Sequence, residues 1–210
     1  MSTVVFRVLR RNEIRKAAEL AARAFDDYEY FTNWFPDKEE RNRFQEYVIR
    51  HEYLTNYGKA EYLVALRDGA IVAVAQLNAP SYRKPSDLKY ILNGWLSVYR
   101  TADKKTIDEW LSMDAAAGKP CHDYQLSKPD IWYVSSLTVE PKQQGTGIGS
   151  NLLGYLEGYV KGKGGREIVF FTNSRKNLDF YVKRGYEVFD EKQIEHKDKV
   201  MGSWSLRKYL

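Results

Sequence analysis

Three glycines alternate along one short segment of the chain, at Gly145, Gly147 and Gly149. The apolar run before them, residues 131–139, predicts a buried strand, and residues 148–160 repeat apolar side chains at helical spacing. A glycine-rich turn between a strand and a helix leaves backbone N–H groups free at the helix start, where the helix dipole favours negative charge. This segment could therefore bind a phosphate or pyrophosphate, and a flexible turn without a ligand is the alternative.

The segment fits neither of two common phosphate-binding motifs. A P-loop requires G-x-x-x-x-G-K-[ST], and no Lys-Ser or Lys-Thr pair follows these glycines. A dinucleotide fingerprint requires G-x-G-x-x-G, but after Gly145 and Gly147 the third glycine position holds Ser150. The segment also lies late in the chain rather than in a first strand–helix–strand unit, so both motifs are excluded.

The elements that must position this segment predict a sheet with a parallel strand pair. After the strand at 131–139 and the helix behind the glycines, EIVFFT at 167–172 predicts a second buried strand. Residues 175–184 have helical spacing, and Gly185 stands where a helix C-cap belongs. The sequences YEVFD and VMGSWSLR predict two closing strands. A strand, a crossover helix and another strand in this order favour a parallel pair.

The first half of the chain predicts one strand, two helices and a hairpin. Residues 4–9 favour a strand, and apolar side chains recur at helical spacing over 14–25 and about 37–56. Asp68 and Gly69 stand between two apolar runs, which predicts a tight hairpin turn.

Residues 81–127 are expected to add helices between this hairpin and the strand before the glycines. Apolar side chains over 88–99 follow one helical face, and Ile107 lies in a second helical pattern. Gly118 and Pro120 predict the end of that second helix, because both residue types disfavour a helix interior.

Two segments resemble motifs of the GNAT superfamily of acyl-CoA N-acyltransferases. Residues 144–149 read Q-G-T-G-I-G and match Q/R-x-x-G-x-G/A, the loop with which that family binds the pyrophosphate of an acyl-CoA. Residues 177–186, NLDFYVKRGY, resemble a later family segment that carries an Asn, a Tyr and a Gly-aromatic pair. Residues 136–141 resemble the family's fourth strand and its exit. The specific motifs cover about residues 131–190.

The resemblance implies a fold for the whole chain. We expect an α/β fold (α+β in some schemes) with a mixed, mostly antiparallel sheet, a splayed central pair of parallel strands and flanking helices. Residues 1–210 would form a single domain. The helices at 81–127 would be an insertion, since the common family core does not account for them.

The resemblance also implies a site for acetyl-CoA. The backbone of Leu137 and Val139 would hydrogen-bond the pantetheine arm, much as an added strand does. Asn177 would hold the cofactor from the other side. The pyrophosphate would be wrapped mainly by backbone N–H groups of the loop residues, which are Gln144, Gly145, Thr146, Gly147, Ile148, Gly149 and Ser150.

The implied chemistry needs few side chains. An amine attacks the thioester carbonyl, an oxyanion develops, and the CoA thiolate leaves. A backbone N–H near Leu137 would stabilise the oxyanion, and the Tyr181 hydroxyl would protonate the thiolate as the catalytic acid. A tyrosine suits this role because its reference pKa, about 10, keeps it protonated at neutral pH.

The residue that removes the proton from the amine is not assigned. Some family members carry a Glu on the fourth strand, at the position that matches Tyr133 here, so that carboxylate is missing. Glu140, Asp26, Asp27 or a relayed water remain open.

The remaining reactive residue types do not form a recognisable site. His51, His122 and His196 lack metal-ligand spacing, and no metal is predicted. The single cysteine, Cys121, excludes an intramolecular disulfide and a cysteine zinc cluster. Cys121 is adjacent to His122, but neighbouring residues rarely orient as nucleophile and base.

The aromatic segment after the first helix has two interpretations. It could form a wall of the amine site, contacting the cation of the acceptor, or it could pack into the core. The same holds for aromatic residues of the 81–127 segment. The residues concerned are Tyr28, Tyr30, Phe31, Trp34 and Phe35, with Tyr82, Tyr90 and Trp95.

Composition excludes several classes of protein. The 210 residues are 43% hydrophobic, 14% aromatic and 29% charged, which argues against disorder. No apolar run approaches the roughly 20 residues of a membrane span, and the first residues lack a signal-peptide apolar core. We therefore expect a soluble cytoplasmic protein that does not act at a membrane, as a monomer or a homodimer.

The net charge of +5 is unevenly distributed. Residues 131–210 hold 13 Lys and Arg against 9 Asp and Glu, so most of the excess lies with the glycine-rich segment. A nucleic-acid partner is not expected, because no recognition motif accompanies this charge.

These observations together predict an N-acetyltransferase. The enzyme would transfer an acetyl group from acetyl-CoA to a primary amine, directly, in a ternary complex. A small-molecule amine is the expected acceptor, since residues 81–127 could cover the acceptor cleft. A protein or peptide N-acetyltransferase and a non-catalytic acyl-CoA-binding module are the alternatives.

Overall fold

Seven strands form one sheet in the computed structural model, which describes residues 3–210. The strands are β1 (Val4–Val8), β2 (Glu61–Arg67), β3 (Ala70–Asn78), β4 (Ile131–Val139), β5 (Glu167–Thr172), β6 (Glu187–His196) and β7 (Lys199–Tyr209). Their order is β1-β2-β3-β4-β5-β7-β6, and every neighbouring pair is antiparallel except β4 and β5. The predicted mixed sheet with a central parallel pair is confirmed.

Seven α-helices cover the two faces of this sheet. They are α1 (Ile14–Ala24), α2 (Glu29–Thr32), α3 (Lys38–Asn56), α4 (Asp87–Leu92), α5 (Lys104–Leu126), α6 (Ile148–Gly162) and α7 (Arg175–Val182). Short 3-10 helices occupy Arg11–Glu13, Trp95–Arg100 and Pro141–Gln143. None of the helices between residues 3 and 210 has both the length and the apolar character that crossing a membrane requires.

Successive side chains of β4 point to opposite faces of the sheet, and each face has its own part of the core. Trp132 and Val134 point to the face that α6 covers, where they pack with apolar side chains of that helix. Tyr133 points to the opposite face, where it packs near α5. Because successive side chains of a strand alternate, one strand lines both the α6 face and the face of α1, α3 and α5.

The β2–β3 hairpin turns where the sequence predicts. Asp68 has φ 52° and Gly69 has φ 79°. A two-residue turn with positive φ at both positions matches the twist of the strands it joins, and Asp-Gly tolerates it best.

The predicted end of the second helix at Gly118 and Pro120 is wrong, because α5 continues through both residues to Leu126. Pro120 has no N–H to give to the carbonyl of Ala116, one turn earlier. That carbonyl accepts a hydrogen bond from the Lys192 ammonium instead. Gly118 lies in a closely packed position, since a Cβ there would lie 3.2 Å from His122 Nε2 and 3.3 Å from Phe171 Cε1.

The single helical face predicted over 88–99 is also wrong, because the segment is broken at Gly94. Gly94 has φ 90°, and it separates α4 from a short 3-10 helix. The apolar side chains of the predicted stripe are divided as a result, and Leu88 and Leu92 are exposed. The segment between β3 and β4 is nevertheless mainly helical, as predicted.

Candidate active site

The β4 and β5 strands separate part-way along their length. They pair only from Ile131 to Tyr133 on β4 and from Glu167 to Val169 on β5. β4 continues to Val139, still paired with β3 on its other side. The edge of β4 beyond Tyr133 therefore faces an opening instead of a strand, and an extended ligand can pair with it as an added strand does. The predicted splayed pair is confirmed.

A β-bulge lies at the start of this open edge. The register of β3 and β4 shifts between Gln76 and Leu77, which pair with Ser136 and Val134, so Ser135 is the extra residue. Ser135 is exposed among buried neighbours. A bulge re-aims backbone groups and side chains locally, so the N–H groups at the start of the opening are turned away from the regular ladder. The sequence pattern gave no indication of this bulge.

The glycine-rich segment forms the start of α6. Gly145 has φ 76° and Gly147, the N-cap residue, has φ 85°. No side chain caps α6, whereas side chains cap α3, α5 and α7. Its first N–H groups are therefore available to an anion. Gly149 is needed for close packing, because a Cβ there would lie 3.3 Å from Val139 Cγ2.

An arginine that the sequence patterns did not single out lies beside this helix start. Arg184 follows α7, and its guanidinium donates hydrogen bonds to Ser150 Oγ and, at 2.8 Å, to the Phe180 carbonyl. The guanidinium carbon also lies 3.7 Å from the centroid of the Phe180 ring. These contacts fix a positive charge next to the first turn of α6.

Tyr181 is held by aromatic rings on the α6 face. Its ring centroid lies 4.4 Å from that of Phe170, 5.1 Å from that of Phe180 and 5.7 Å from that of Tyr186. Burial, with a smaller contribution from Tyr28, raises its pKa above the ordinary value. The phenol therefore stays protonated at neutral pH.

Tyr28 closes the far end of the β5 strand. Its hydroxyl accepts a hydrogen bond from the Asn173 backbone N–H at 2.9 Å and lies 3.2 Å from Thr172 Oγ1. The Asn177 side chain also reaches this hydroxyl and lowers the pKa of Tyr28, although burial raises that pKa more. Tyr28, Asn177 and Tyr181 thus surround the place where β5 ends.

Helix α5 crosses over the separation of β4 and β5. His122 contacts Tyr133 of β4 with ring centroids 4.5 Å apart and the rings tilted by 39°, and Gly118 packs against Phe171 of β5. The His122 residue is partly exposed to solvent. Burial, with a smaller contribution from Lys84, lowers the pKa of His122, so its imidazole is neutral at pH 7.

A hydrogen-bonded group of side chains surrounds Glu52 of α3. Glu52 Oε1 accepts from Asn56 Nδ2 at 2.7 Å, and Glu52 Oε2 accepts from the Tyr90 hydroxyl at 2.9 Å. The Tyr82 hydroxyl donates to Asn56 Oδ1 at 2.6 Å. Burial raises the pKa of Glu52 to about 7, and the carboxyl of Asp114 contributes to the increase.

Asp114 of α5 is a second partly buried carboxyl. It accepts a hydrogen bond from the Tyr30 hydroxyl. Burial raises the pKa of Asp114, while Tyr30 and Lys84 act in the opposite direction. Tyr30 is itself fixed, since its carbonyl accepts from Trp110 Nε1 at 2.9 Å.

A family model described as Acetyltransferase (GNAT) family matches residues 25–186, well over half of the chain. The chain belongs to the GNAT acetyltransferase family. The match includes both sequence motifs and the helical segment between β3 and β4.

Solved structures of GNAT N-acetyltransferases have the same fold. An agmatine N-acetyltransferase superposes with a TM-score of 0.63 at 16% identity, covering 99% of each chain. A PaiA N-acetyltransferase from Thermoplasma acidophilum, solved with coenzyme A, gives 0.57 at 12% identity and 99% of each chain. A ribosomal-protein alanine N-acetyltransferase from Escherichia coli gives 0.58 at 10% identity, covering 99% of this chain and 94% of that one. A search among curated protein sequences found no match.

Cations hold two of the three carboxylates left open as proton acceptors of this GNAT protein. Glu140 accepts from Arg23 at 2.8 Å. Asp26 lies 3.2 Å from the Lys38 ammonium. Asp27 forms no salt bridge within residues 3–210, and the side chain that contacts Tyr133 is His122 instead.

The structure brings the predicted cofactor residues to one region. Leu137 and Val139 lie on the open half of β4, residues 144–150 form the turn and first residues of α6, and Asn177 and Tyr181 lie on α7. The aromatic segment is divided between the two interpretations. Tyr28 is partly buried at the end of β5, whereas Tyr30, Phe31, Trp34 and Phe35 are buried in the core.

Other parts of the described chain offer less to this chemistry. An open cleft of about 800 Å³ lies at the start of β4, lined by Arg83, Lys128 and Lys163 among others. It is separated from the glycine-rich turn by the length of β4, about 25 Å at the usual strand rise.

Burial raises the pKa of Cys121 to about 12, so its side chain is a neutral thiol at physiological pH. Residues 3–210 bring together no three metal-ligating side chains.

Proposed function

We propose that this GNAT protein is an acetyl-CoA-dependent N-acetyltransferase that acts on a small-molecule amine by direct transfer. The observation that carries the proposal is the open edge of β4, which leads from the separation at Tyr133 to the uncapped start of α6. An extended pantetheine arm fits the open edge of β4, and a pyrophosphate fits the uncapped start of α6.

Acetyl-CoA would be bound mainly by backbone groups. The open edge at Leu137 and Val139 would pair with the pantetheine amides. Residues 144–150 would surround the pyrophosphate, with N–H groups of the first turn of α6 directed at it. Arg184 adds a fixed positive charge there, and Asn177 supports the arm from α7.

Transfer would take place at the separation of β4 and β5. The acceptor nitrogen forms a bond to the acetyl carbon, and an N–H near Leu137 stabilises the oxyanion. The bond from carbon to sulfur then breaks, and Tyr181 gives its proton to the departing thiolate. Its surroundings suit this role, because burial favours the neutral phenol.

The proton of the attacking amine would pass to His122. This imidazole contacts Tyr133, the residue at the position where some relatives carry a carboxylate, and it is neutral at pH 7. A neutral imidazole can accept a proton directly or through one water.

The acceptor would be small because helices cover its side of the sheet. Tyr82 and Tyr90, between β3 and β4, hydrogen-bond to side chains of α3, and α5 supplies His122 beside Tyr133. A folded protein surface would not reach Tyr133 without displacing this cover.

The test measures free thiol and acetylated product when purified protein, acetyl-CoA and amines are mixed. The panel contains polyamines, amino acids, aminoglycosides and short peptides. Thiol release that depends on a small amine, with one acetyl group on that amine, supports the proposal. Release with peptides alone would indicate a protein substrate, and tight acetyl-CoA binding without any release would indicate a non-catalytic module.

A further inference from the structure

The Tyr28 side chain joins two parts of the chain that meet at the end of β5. Tyr28 lies between α1 and α2, and its hydroxyl accepts a hydrogen bond from the Asn173 backbone N–H at 2.9 Å. Asn173 has only 1% of its surface exposed, so water does not replace this bond. A buried N–H that loses its acceptor is strongly disfavoured. The bond therefore fixes the chain at the place where β5 ends.

The same hydroxyl begins a series of hydrogen bonds that ends at the cap of α7. It lies 3.2 Å from Thr172 Oγ1, which accepts from the Ser174 N–H at 3.5 Å. Ser174 is the N-cap residue of α7, and its Oγ accepts from the Asn177 N–H at 3.4 Å. Such a cap satisfies free N–H groups at the helix start and so stabilises it. Tyr28 is thus bonded to both residues that precede the cap, Thr172 and Asn173.

Helix α7 is short, so its orientation depends on contacts of this kind. It has eight residues, and helices of that length are not stable by themselves in water. Its last turn carries Tyr181, the proposed proton donor, whose ring packs against Phe170 and Tyr186. The hydrogen bonds from Tyr28 hold the other end of the helix. A shift at the first turn would therefore move the Tyr181 hydroxyl.

The ring of Tyr28 belongs to the opposite face of the sheet from Tyr181. Its centroid lies 5.6 Å from that of Phe25 and 5.9 Å from that of Tyr30. The Tyr30 ring in turn lies 5.3 Å from that of Trp110 on α5. These rings pack with the core of α1, α3 and α5, whereas Tyr181 packs on the α6 face. The Tyr28 hydroxyl thus connects the helices of one face to α7 on the other.

From these contacts we propose that Tyr28 is a positioning residue for the acetyl transfer. It holds the start of α7 so that the Tyr181 hydroxyl lies within reach of the departing thiolate, and it acts through Tyr181 rather than as a proton donor. The inference rests on the proposed function and adds a residue that lies outside both sequence motifs. A displacement of about 1 Å in a reacting group lowers a rate by up to about 100-fold, so the loss of this support is measurable in kcat.

Tyr28→Phe tests the proposal, because it keeps the ring and removes the hydroxyl. We expect kcat to fall by about 10-fold when chemistry is rate-limiting. The Kd for acetyl-CoA, measured by calorimetry, should change by less than about 2-fold, because β4 and α6 provide most of the cofactor contacts. The matched control is Tyr99→Phe, whose hydroxyl donates to Asp108 at 2.9 Å in the segment between β3 and β4. The control should keep the wild-type kcat.

A double variant distinguishes positioning of Tyr181 from a general loss of structure. In the Tyr181→Phe background the proton donor is already absent, so Tyr28→Phe should lower kcat further by less than about 2-fold. A general weakening of the fold would instead lower kcat by the same factor with and without the Tyr181 hydroxyl.

Thr172 provides a second pair of variants, which keeps the proposal testable if Tyr28→Phe does not fold. Thr172→Val replaces the hydroxyl by a methyl group of similar size and should lower kcat by about 5- to 10-fold. Thr172→Ser keeps the hydroxyl, so its kcat should stay within about 2-fold of the wild-type value.

The possible results separate the inference from the proposed function. Wild-type kcat in both Tyr28→Phe and Thr172→Val would overturn the inference, and so would a loss in Tyr28→Phe that is the same in the Tyr181→Phe background. Amine-dependent thiol release by the wild-type protein would still support the function in either case. No thiol release with any amine would overturn both.

Discussion

The ring of Tyr181 lies among three aromatic rings, so replacement of its hydroxyl by hydrogen removes a proton donor and leaves the packing in place. Tyr181→Phe should lower kcat by about 100-fold, the lower range for general acid catalysis. The Kd for acetyl-CoA should stay nearly constant, because backbone groups bind the cofactor.

The control for Tyr181→Phe is Tyr159→Phe. Tyr159 lies on α6, and its hydroxyl donates to Glu61 at 3.1 Å. Steady-state kinetics and calorimetry should show normal kcat for this variant. An unchanged kcat in Tyr181→Phe, with chemistry rate-limiting, would remove Tyr181 from the acid role.

His122 predicts a pH dependence with a definite sign. Because burial lowers its pKa, the imidazole is neutral above its reference value of about 6.5 and becomes charged only below it. If His122 accepts the proton, kcat should fall as the pH decreases below about 6.5. His122→Gln should lower kcat at neutral pH by about 100-fold and remove this acidic decrease.

The pH profile is measured with both substrates saturating, and His196→Gln serves as the control. His196 stacks on Trp34 with ring centroids 4.6 Å apart. The control should keep the wild-type profile. An acidic decrease that persists in His122→Gln would show that another group accepts the proton.

Motifs predict only part of the site at the residue scale. Asn177 and Tyr181 belong to one continuous segment, so local spacing is enough to select them. His122 lies far from both motifs in the sequence, and only the packing of α5 on the sheet brings it to Tyr133 of β4. Nothing in its local sequence distinguishes it from an ordinary polar residue.

Among the elements, the start of α6 gives the clearest prediction about cofactor binding. Gly147 has φ 85°, which an L side chain adopts at a cost of about 1–2 kcal/mol. Gly147→Ala should therefore raise the Kd for acetyl-CoA by about 10-fold as the turn shifts.

Gly158 supplies a matched control within the same helix. It lies in the interior of α6 with no atom within 4 Å of an added Cβ. Gly158→Ala should stabilise the protein by about 0.5–1 kcal/mol and leave the Kd unchanged. Equal Kd values for Gly147→Ala and the wild type would argue against pyrophosphate binding at this turn.

Helix α5 predicts a coupling between Pro120 and Lys192. Lys192→Met should destabilise the protein by about 0.5–1.5 kcal/mol, because the Ala116 carbonyl loses its donor. Pro120→Ala restores an N–H to that carbonyl, so Lys192→Met should cost less in this background. Urea unfolding of the two single variants and the double variant measures the coupling. Strictly additive free energies would contradict it.

The same helix shows where local propensity fails. The strands, the hairpin turn and the helices beside the motifs follow from periodicity and turn residues. The course of α5 through Gly118 and Pro120 does not, because it depends on the Lys192 contact and on the close approach to Phe171. The helix break at Gly94 does not follow from the sequence pattern either, because the apolar residues on both sides of it keep a continuous helical spacing.

At the scale of the whole molecule, the two faces of the sheet are proposed to bind different substrates. The start of α6 and the residues of α7 would serve the cofactor on one face, and α3 with α5 would serve the acceptor on the other. They meet where β4 and β5 separate. The sequence predicts the parallel pair, but the acceptor side follows only from the order of the strands and the helices above them.

The central claim is direct transfer between acetyl-CoA and an amine, and one stepwise measurement tests it. The protein is mixed with acetyl-CoA alone, free thiol and intact protein mass are recorded, and the best amine of the panel is then added. Without acceptor we expect neither thiol release nor acetylated protein; after addition, thiol and N-acetylated amine should appear in equal amounts. An acetyl group on the protein before the amine is added, or no thiol release afterwards, would contradict the account.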